Sequence, residues 1–160
     1  MNTCGIIGHR KYNEDLALET LLEELILKYQ INCFNFGTKS EFTLACAKCI
    51  ERLQKKYPHI LMRAFLVRGE LCFLKGQENL AKYVHAKQVF YDEIFETIFD
   101  SKLSSYIKRD KAIIENSDMI FCYYKYETAI NKQKTETRSG TSLAINYAKK
   151  LNKKILNIAN

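Results

Sequence analysis

The stretch TCGIIGHRKYNEDL, residues 3–16, joins a predicted strand to a predicted helix. Residues 3–7 favour a short buried strand, because they are mostly apolar and have no helical spacing. The loop that follows contains Gly8, which suits a tight turn, and the polar residues His9 and Arg10. In open α/β sheets such loops lie at the carboxyl edge of the strands, where ligands bind.

The second half of the stretch predicts the first helix. Asn13 is a suitable N-cap, and the leucines and isoleucine between Leu18 and Ile26 recur with the i, i+3, i+4 period. The helix is expected to end near Gln30. A strand followed directly by an amphipathic helix is the unit from which parallel sheets are built.

The same alternation continues along the chain. Further predicted strands cover residues 31–37, 60–67, 104–109, 118–124 and 153–158, and further predicted helices cover 41–56, 110–117 and 139–151. Residues 68–103 are expected to form a variable insertion, with one helix around 79–89 and a turn near 91–99, and residues 125–138 a long loop. The pattern predicts an α/β fold with a mostly parallel sheet and right-handed crossovers.

The composition indicates one cytoplasmic domain spanning residues 1–160. A chain of 160 residues is about one domain long, and we expect neither a membrane-spanning run nor a signal peptide. Its six cysteines are expected to be buried free thiols, because no secretory context accompanies them.

The positive charge is concentrated in the last third of the chain. Lys plus Arg against Asp plus Glu is 13 against 13 in residues 1–100 and 12 against 5 in residues 101–160. A basic region can hold the phosphates of a small ligand or a nucleic-acid backbone, or it can simply be a lysine-rich solvated surface.

The segment RSGTSLAINYA, residues 138–148, is the strongest candidate for an anion site. The start of a helix leaves backbone N–H groups unpaired at its positive end, and glycine lets a phosphate approach the main chain. Hydroxyl and glycine residues occupy this start: Ser139, Gly140, Thr141 and Ser142. The alternative is ordinary helix capping, which favours the same residue types.

Two more strand-to-helix junctions carry polar groups. Arg10 can hold a phosphate or carboxylate with its guanidinium fork, although a surface arginine is usually just solvated. In FGTKSEF, residues 36–42, Gly37 and Thr38 follow a strand, and Glu41 can accept from a ribose hydroxyl, although capping again explains the pattern. A parallel sheet would bring these junctions to one edge.

Metal and cofactor sites are not expected. The pair Cys46 and Cys49 lies within an apolar helical stripe and has no second CxxC or suitably spaced histidine, so we assign it to the core. No dinucleotide fingerprint or P-loop is present. Tyr123, Tyr124 and Tyr126 could stack on a base or simply pack.

Four stretches together resemble the SLOG superfamily, which joins the Smf/DprA and "lonely guy" proteins, and in particular its YpsA-like bacterial and prophage branch. They are GIIGHRKY at 5–12, FGTKSEFTLACAKCIERLQKKYPHI at 36–60, IKRDKAIIENSDMIFCYY at 107–124 and SGTSLAINYAKKLNKKILNI at 139–158. The resemblance implies a Rossmann-like three-layer fold, a pocket for a nucleotide-derived ligand such as an ADP-ribose-like molecule, and a homodimer. By matching motifs, the pocket would be lined by Gly8, His9, Arg10, Gly37, Thr38, Arg109, Gly140, Thr141 and Ser142.

The chain departs from the lonely-guy pattern where catalysis would occur. Those phosphoribohydrolases carry a glutamate after a Gly-x-Gly-Thr motif, whereas here Gly140 and Thr141 are followed by Ser142, Leu143 and Ala144. We therefore expect a sensor or sequestering protein for a signalling nucleotide rather than an enzyme, with no catalytic residue assigned. The alternatives are a nucleotide N-glycosidase, in which Glu41 could substitute, and DprA-like binding of single-stranded nucleic acid.

Overall fold

The fold is an α/β arrangement of six strands and four helices within the part of the chain that the computed structural model describes, residues 2–13, 15–37, 40–67, 95–97, 102–125 and 140–159. The strands are β1 (Thr3–Gly8), β2 (Cys33–Phe36), β3 (Leu61–Val67), β4 (Phe95–Thr97), β5 (Met119–Tyr123) and β6 (Lys154–Asn157). The helices are α1 (Leu18–Lys28), α2 (Glu41–Lys56), α3 (Lys102–Glu115) and α4 (Gly140–Lys150).

All strand pairs in the described sheet are parallel. Five strands follow the order β3-β2-β1-β5-β6, and the short β4 extends the edge beside β3. At the centre, Cys4 of β1 lies opposite Phe34 of β2 on one side and Met119 of β5 on the other. The chain first builds outward through β2 and β3 and later returns to the other side of β1. The carboxyl ends of β1 and β5 therefore form a topological switch point.

The side chains of the central strands alternate between two core layers. Ile6 and Phe121 pack in the layer that contains the buried faces of α1 and α2. Ile7 and Cys122 pack in the opposite layer, with the apolar side chains of α3 and α4. Because the sheet is covered on both faces, its strands are apolar on both sides. The predicted Rossmann-like three-layer fold with a parallel sheet is confirmed.

Helix α2 begins and ends where its sequence predicts, at Glu41 and Lys56. Ser40 caps it, since its Oγ accepts a hydrogen bond from the Thr43 N–H at 2.9 Å. Cys46 and Cys49 are buried in the core, which confirms their assignment to packing. Five cysteines are buried free thiols, as predicted, and Cys72 lies outside the described residues.

The prediction of a strand over 104–109 and a short helix over 110–117 was wrong. A single helix, α3, covers Lys102–Glu115. Arg109, Ile113 and Ile114 are buried on its inner face. Because a charged residue occupies one of these inward positions, the hydrophobic period is interrupted and the helix is hard to recognise from its sequence.

Two other local predictions were wrong. Helix α1 begins at Leu18 rather than after Asn13. Asp15 ends the preceding loop instead, because its Oδ1 accepts from the Ala17 N–H at 3.0 Å and its carbonyl accepts from the Leu18 N–H at 3.1 Å. Within the stretch expected to turn near 91–99, Phe95–Thr97 forms the strand β4, whose parallel pairing with β3 decides its conformation.

Several expectations fall on segments outside the described residues. They are the helix around 79–89, the loop beyond Lys125, and the candidate residues Thr38, Tyr126 and Ser139. Among the helices of the described chain, none is both long enough and apolar enough to cross a membrane.

Candidate ligand-binding cleft

A cleft of about 640 Å³ opens at the carboxyl edge of the sheet, over the ends of β1, β2 and β5. This volume lies within the range of small-molecule sites in proteins. Its floor is the end of β1 and the loop that follows, and its walls come from the start of α2, from α3, from the end of β5 and from the start of α4. The three junctions singled out in the sequence thus reach one edge, as a parallel sheet requires.

Positive charge dominates the lining of the cleft. Among the described residues, four cationic side chains line it, Arg10, Lys11, Arg109 and Lys125, against the single carboxylate of Asp110. Arg10, Lys11 and Lys125 are exposed, whereas Arg109 is only 6% exposed. Converging cations in a concave site raise the local concentration of anionic ligands. The described part of the cleft is therefore built to attract an anion.

The start of α4 forms one wall of the cleft. Gly140 and Thr141 line it, so the backbone N–H groups at the positive end of this helix dipole are near the interior of the cleft. Ser142 lies behind the wall rather than in it. It is 3% exposed, and its Oγ is 3.3 Å from the hydroxyl of Tyr124. Ser142 thus supports the packing of α4 on β5.

His9 connects two loops of the cleft. Its Nε2 accepts a hydrogen bond from the backbone N–H of Lys125 at 2.9 Å, and the backbone N–H of His9 donates to the Tyr123 carbonyl at 3.2 Å. A backbone N–H can only donate, so Nε2 is the acceptor in this contact. The bond holds Lys125 beside the β1–α1 loop.

Arg109 packs directly against Gly37. A Cβ at Gly37 would lie 2.6 Å from the Arg109 Cζ, closer than real contacts allow. The guanidinium also lies 5.1 Å from the ring centre of Tyr106, a cation–π distance, and its Nε is 3.3 Å from Asp110 Oδ1. The glycine after β2 thus gives the guanidinium room to reach the edge of the sheet.

Gly8 has a packing role as well as its place in the lining. A Cβ there would overlap with Cδ1 of Phe42. Phe42 is fully buried and stacks on Phe121 and Tyr123, with ring centres 5.8 and 5.7 Å apart. The aromatic stack therefore requires glycine at this position.

Glu41 lies outside the cleft. Its Oε2 accepts from the Tyr12 N–H at 2.8 Å, and its own N–H donates to the Arg10 carbonyl at 3.0 Å. The side chain lines a separate depression of about 210 Å³ beside α2. Glu41 thus fastens the β1–α1 loop to the start of α2 and helps to position Arg10.

Several side chains of the cleft were not assigned to a ligand site from the sequence, among them Tyr106, Asp110 and Lys125. Tyr106, Arg109 and Asp110 follow the i, i+3, i+4 spacing of one helical face. Reading residues 102–115 as one helix would have grouped them. Lys125 has no comparable signal, because its placement depends on the hydrogen bond with His9.

The lining suits anion binding better than metal chemistry. No group of three or more His, Cys, Asp or Glu side chains that could hold a metal is found among the residues with described positions.

No protein-family model matches the chain, and a search of curated proteins likewise finds no match.

Proposed function

We propose that the protein binds a nucleotide or nucleotide-derived small molecule, of the ADP-ribose or cyclic-nucleotide kind, in this cleft. It would act as a sensor or sequestering protein for a signalling nucleotide. The observation that carries the proposal is the concentration of four cationic side chains and a helix N-terminus around one cleft at the switch point of a parallel sheet. The resemblance to SLOG proteins points the same way, and we propose that the chain is a domain of that type.

Arg10 and Lys125 would contribute to the binding of phosphates. Arg10 offers a planar fork for two hydrogen bonds, and Lys125 is held beside it by His9. Gly140 and Thr141, at the start of α4, line the same space, and the start of a helix is a favourable place for an anion. Because the donors come from the β1–α1 loop, the residues after β5 and the start of α4, a bound phosphate would be held from several directions.

The test is a calorimetric titration of ADP-ribose, NAD, AMP and cyclic nucleotides into the wild type and Arg10→Ala. Saturable binding of one of these ligands is expected to weaken by about 10-fold or more in the variant, since losing a charge-assisted hydrogen bond costs about 1.5 kcal/mol. Lys150→Ala is the matched control, because this exposed lysine at the end of α4 is remote from the lining. No heat with any ligand would refute the proposal.

A single-stranded nucleic acid is the second candidate ligand, favoured by the lysines that end α4 and begin β6: Lys149, Lys150, Lys153 and Lys154. Affinity for single-stranded DNA that falls steeply with salt would support it, whereas a small ligand in the cleft should respond only modestly. Release of free base from nucleoside monophosphates would instead indicate a glycosidase.

The proposal also includes a cellular location and an oligomeric state. We place the protein in the cytoplasm as a homodimer. Light scattering coupled to size-exclusion chromatography would test the dimer, and a mass of one chain of 18.7 kDa would contradict it.

A further inference from the structure

We infer that the ligand of the cleft carries a diphosphate group, with one phosphoryl group at the β1–α1 loop and the other at the residues that follow β5. This inference rests on the proposed function and names the class of nucleotide that the cleft takes. It separates nucleotides with two linked phosphoryl groups, such as ADP and ADP-ribose, from AMP and from cyclic nucleotides with one phosphate.

The cleft presents more positive charge than one phosphate can balance. Among the lining residues with described positions, Arg109 and Asp110 form an ion pair, with Nε and Oδ1 3.3 Å apart, so their charges largely offset each other. Three further cations line the cleft, Arg10, Lys11 and Lys125, and no ion pair found within the described part of the chain involves them. A phosphate monoester carries a charge of about −1.5 to −2 at pH 7, so one such group balances about two of these cations at most.

The three cations follow two neighbouring strands. β1 and β5 pair in register to their last residues, with Gly8 opposite Tyr123. The contact between His9 Nε2 and the Lys125 N–H ties the residue after β5 to the β1–α1 loop. Neighbouring strands lie about 4.8 Å apart, a span that the two phosphoryl groups of one diphosphate can bridge. One phosphoryl group can therefore lie at Arg10 while the other lies at Lys125.

The donors at the Lys125 end differ from those at the Arg10 end. Lys125 Nζ lies 5.6 Å from the ring centre of Tyr123, a cation–π contact that keeps the ammonium over the end of β5. Gly140 and Thr141, at the start of α4, line the same cleft, and a Cβ at Gly140 would meet no described atom within 4 Å. The start of a helix favours an anion, so a second phosphoryl group has its own set of partners here.

The experiment is a calorimetric titration of AMP, ADP and ADP-ribose into the wild type, Arg10→Gln and Lys125→Gln, in buffer without Mg²⁺, which binds phosphates. The wild type should bind at least one of the two diphosphates about 10-fold or more tightly than AMP. Each substitution should weaken the binding of that diphosphate about 10-fold, because each removes the partner of one phosphoryl group. AMP has one phosphate, so its affinity should fall by about 10-fold in no more than one of the two variants. The tighter of ADP and ADP-ribose shows whether the diphosphate is terminal or joins two sugars.

Lys55→Gln is the matched control, because it removes the same charge far from the cleft. This exposed lysine is about 20 Å along α2 from Glu41, and the start of α2 is the part of that helix that lines the cleft. The control should keep the wild-type affinities. Circular dichroism during thermal unfolding checks that each variant is folded.

Two results with the variants would overturn the inference. Equal weakening of AMP and the diphosphate in both variants would show that Arg10 and Lys125 hold one phosphate, and weakening of the diphosphate in only one variant would show that the other cation takes no part. AMP binding as tightly as both diphosphates in the wild type would overturn the inference while leaving the proposed function standing. If none of the three ligands binds, the inference falls, and the titration of cyclic nucleotides then decides the proposed function separately.

Discussion

The backbone of Gly37 is in contact with the guanidinium of Arg109, so closely that a methyl group on Gly37 would lie 2.6 Å from Arg109 Cζ and 2.9 Å from Nε. This contact joins the end of β2 to α3 across the cleft. It places a buried cation, 6% exposed, where the three polar junctions meet.

Gly37→Ala should weaken ligand binding more than it weakens the fold. The guanidinium is the far end of a flexible side chain and can move away, so the free energy of unfolding should fall by no more than about 1 kcal/mol. Displacing the cation should reduce the affinity for the nucleotide ligand by about 10-fold. Calorimetry and urea unfolding measure the two effects, and an unchanged affinity would contradict the role given to Arg109.

Gly8→Ala should weaken the fold more than it weakens ligand binding. The added methyl group would meet Phe42, whose buried ring is held between stacked neighbours and cannot yield easily. We expect the free energy of unfolding to fall by about 1–3 kcal/mol. Gly140→Ala is the matched control, since a Cβ there meets no atom within 4 Å among the described residues. Equal urea midpoints for the two variants would show that the aromatic stack does not restrict position 8.

Asn35→Ala should be strongly destabilising. Asn35 is fully buried in β2, donates to the Asn116 carbonyl at 2.9 Å and to Ser117 Oγ at 3.0 Å, and accepts from Arg63 Nε at 2.8 Å. Removing it should lower the free energy of unfolding by about 2–3 kcal/mol, because buried polar partners lose their bonds.

The exposed Asn146 provides the control for Asn35. Asn146→Ala should change the free energy of unfolding by less than about 0.5 kcal/mol. Urea denaturation of both variants measures the difference, and similar small effects would mean that the bonds of Asn35 contribute little.

The contact between Glu23 and Lys56 should make stability depend on pH. Glu23 Oε1 accepts from Lys56 Nζ at 2.5 Å and from the Tyr57 hydroxyl at 2.7 Å. These hydrogen bonds lower the pKa of Glu23 below its ordinary value of 4.5 and raise the pKa of Lys56 above 10.5. The stabilisation by Glu23 is therefore fully present above about pH 4.5 and is lost as the pH falls through its lower folded pKa.

Glu23→Gln tests this pH dependence. The wild type should be more stable than the variant at pH 7, and the difference should shrink as the pH falls below 4.5. Thermal unfolding at a series of pH values measures it. A difference that stays constant from pH 7 to pH 3 would rule out the ionised carboxylate as its source.

The buried thiols should be unreactive in the folded protein. Burial raises the pKa of Cys122 to about 12, and burial raises the pKa of Cys46 well above 9.0. Because the thiolate is the reactive form, iodoacetamide at pH 8 should modify Cys46, Cys49 and Cys122 only after unfolding in urea. Peptide mass spectrometry distinguishes the sites. Rapid modification of Cys46 or Cys49 without urea would contradict their place in the core.

The apolar pattern predicted the fold well wherever neighbouring residues decide the structure. The stripe of α2 and the runs of β1 and β5 carry their own periodicity, so their bounds were predicted within a residue or two. α3 was missed because Arg109 occupies an inward position that the periodicity expects to be apolar. A buried charge is tolerated there by its contacts with Tyr106 and Asp110, which the sequence alone does not show.

The same distinction between local sequence and tertiary contacts applies to the candidate site. The sequence by itself determined that three polar strand-to-helix junctions reach one edge of a parallel sheet, because the apolar periods show strands alternating with helices and that alternation implies parallel strands. Only the tertiary structure decided which side chains face the cleft. It placed Asp110 inside and Glu41 outside, and it buried Ser142 on the inner side of α4. The physical reason is that a side chain's surroundings depend on how helices from distant parts of the chain pack against the sheet.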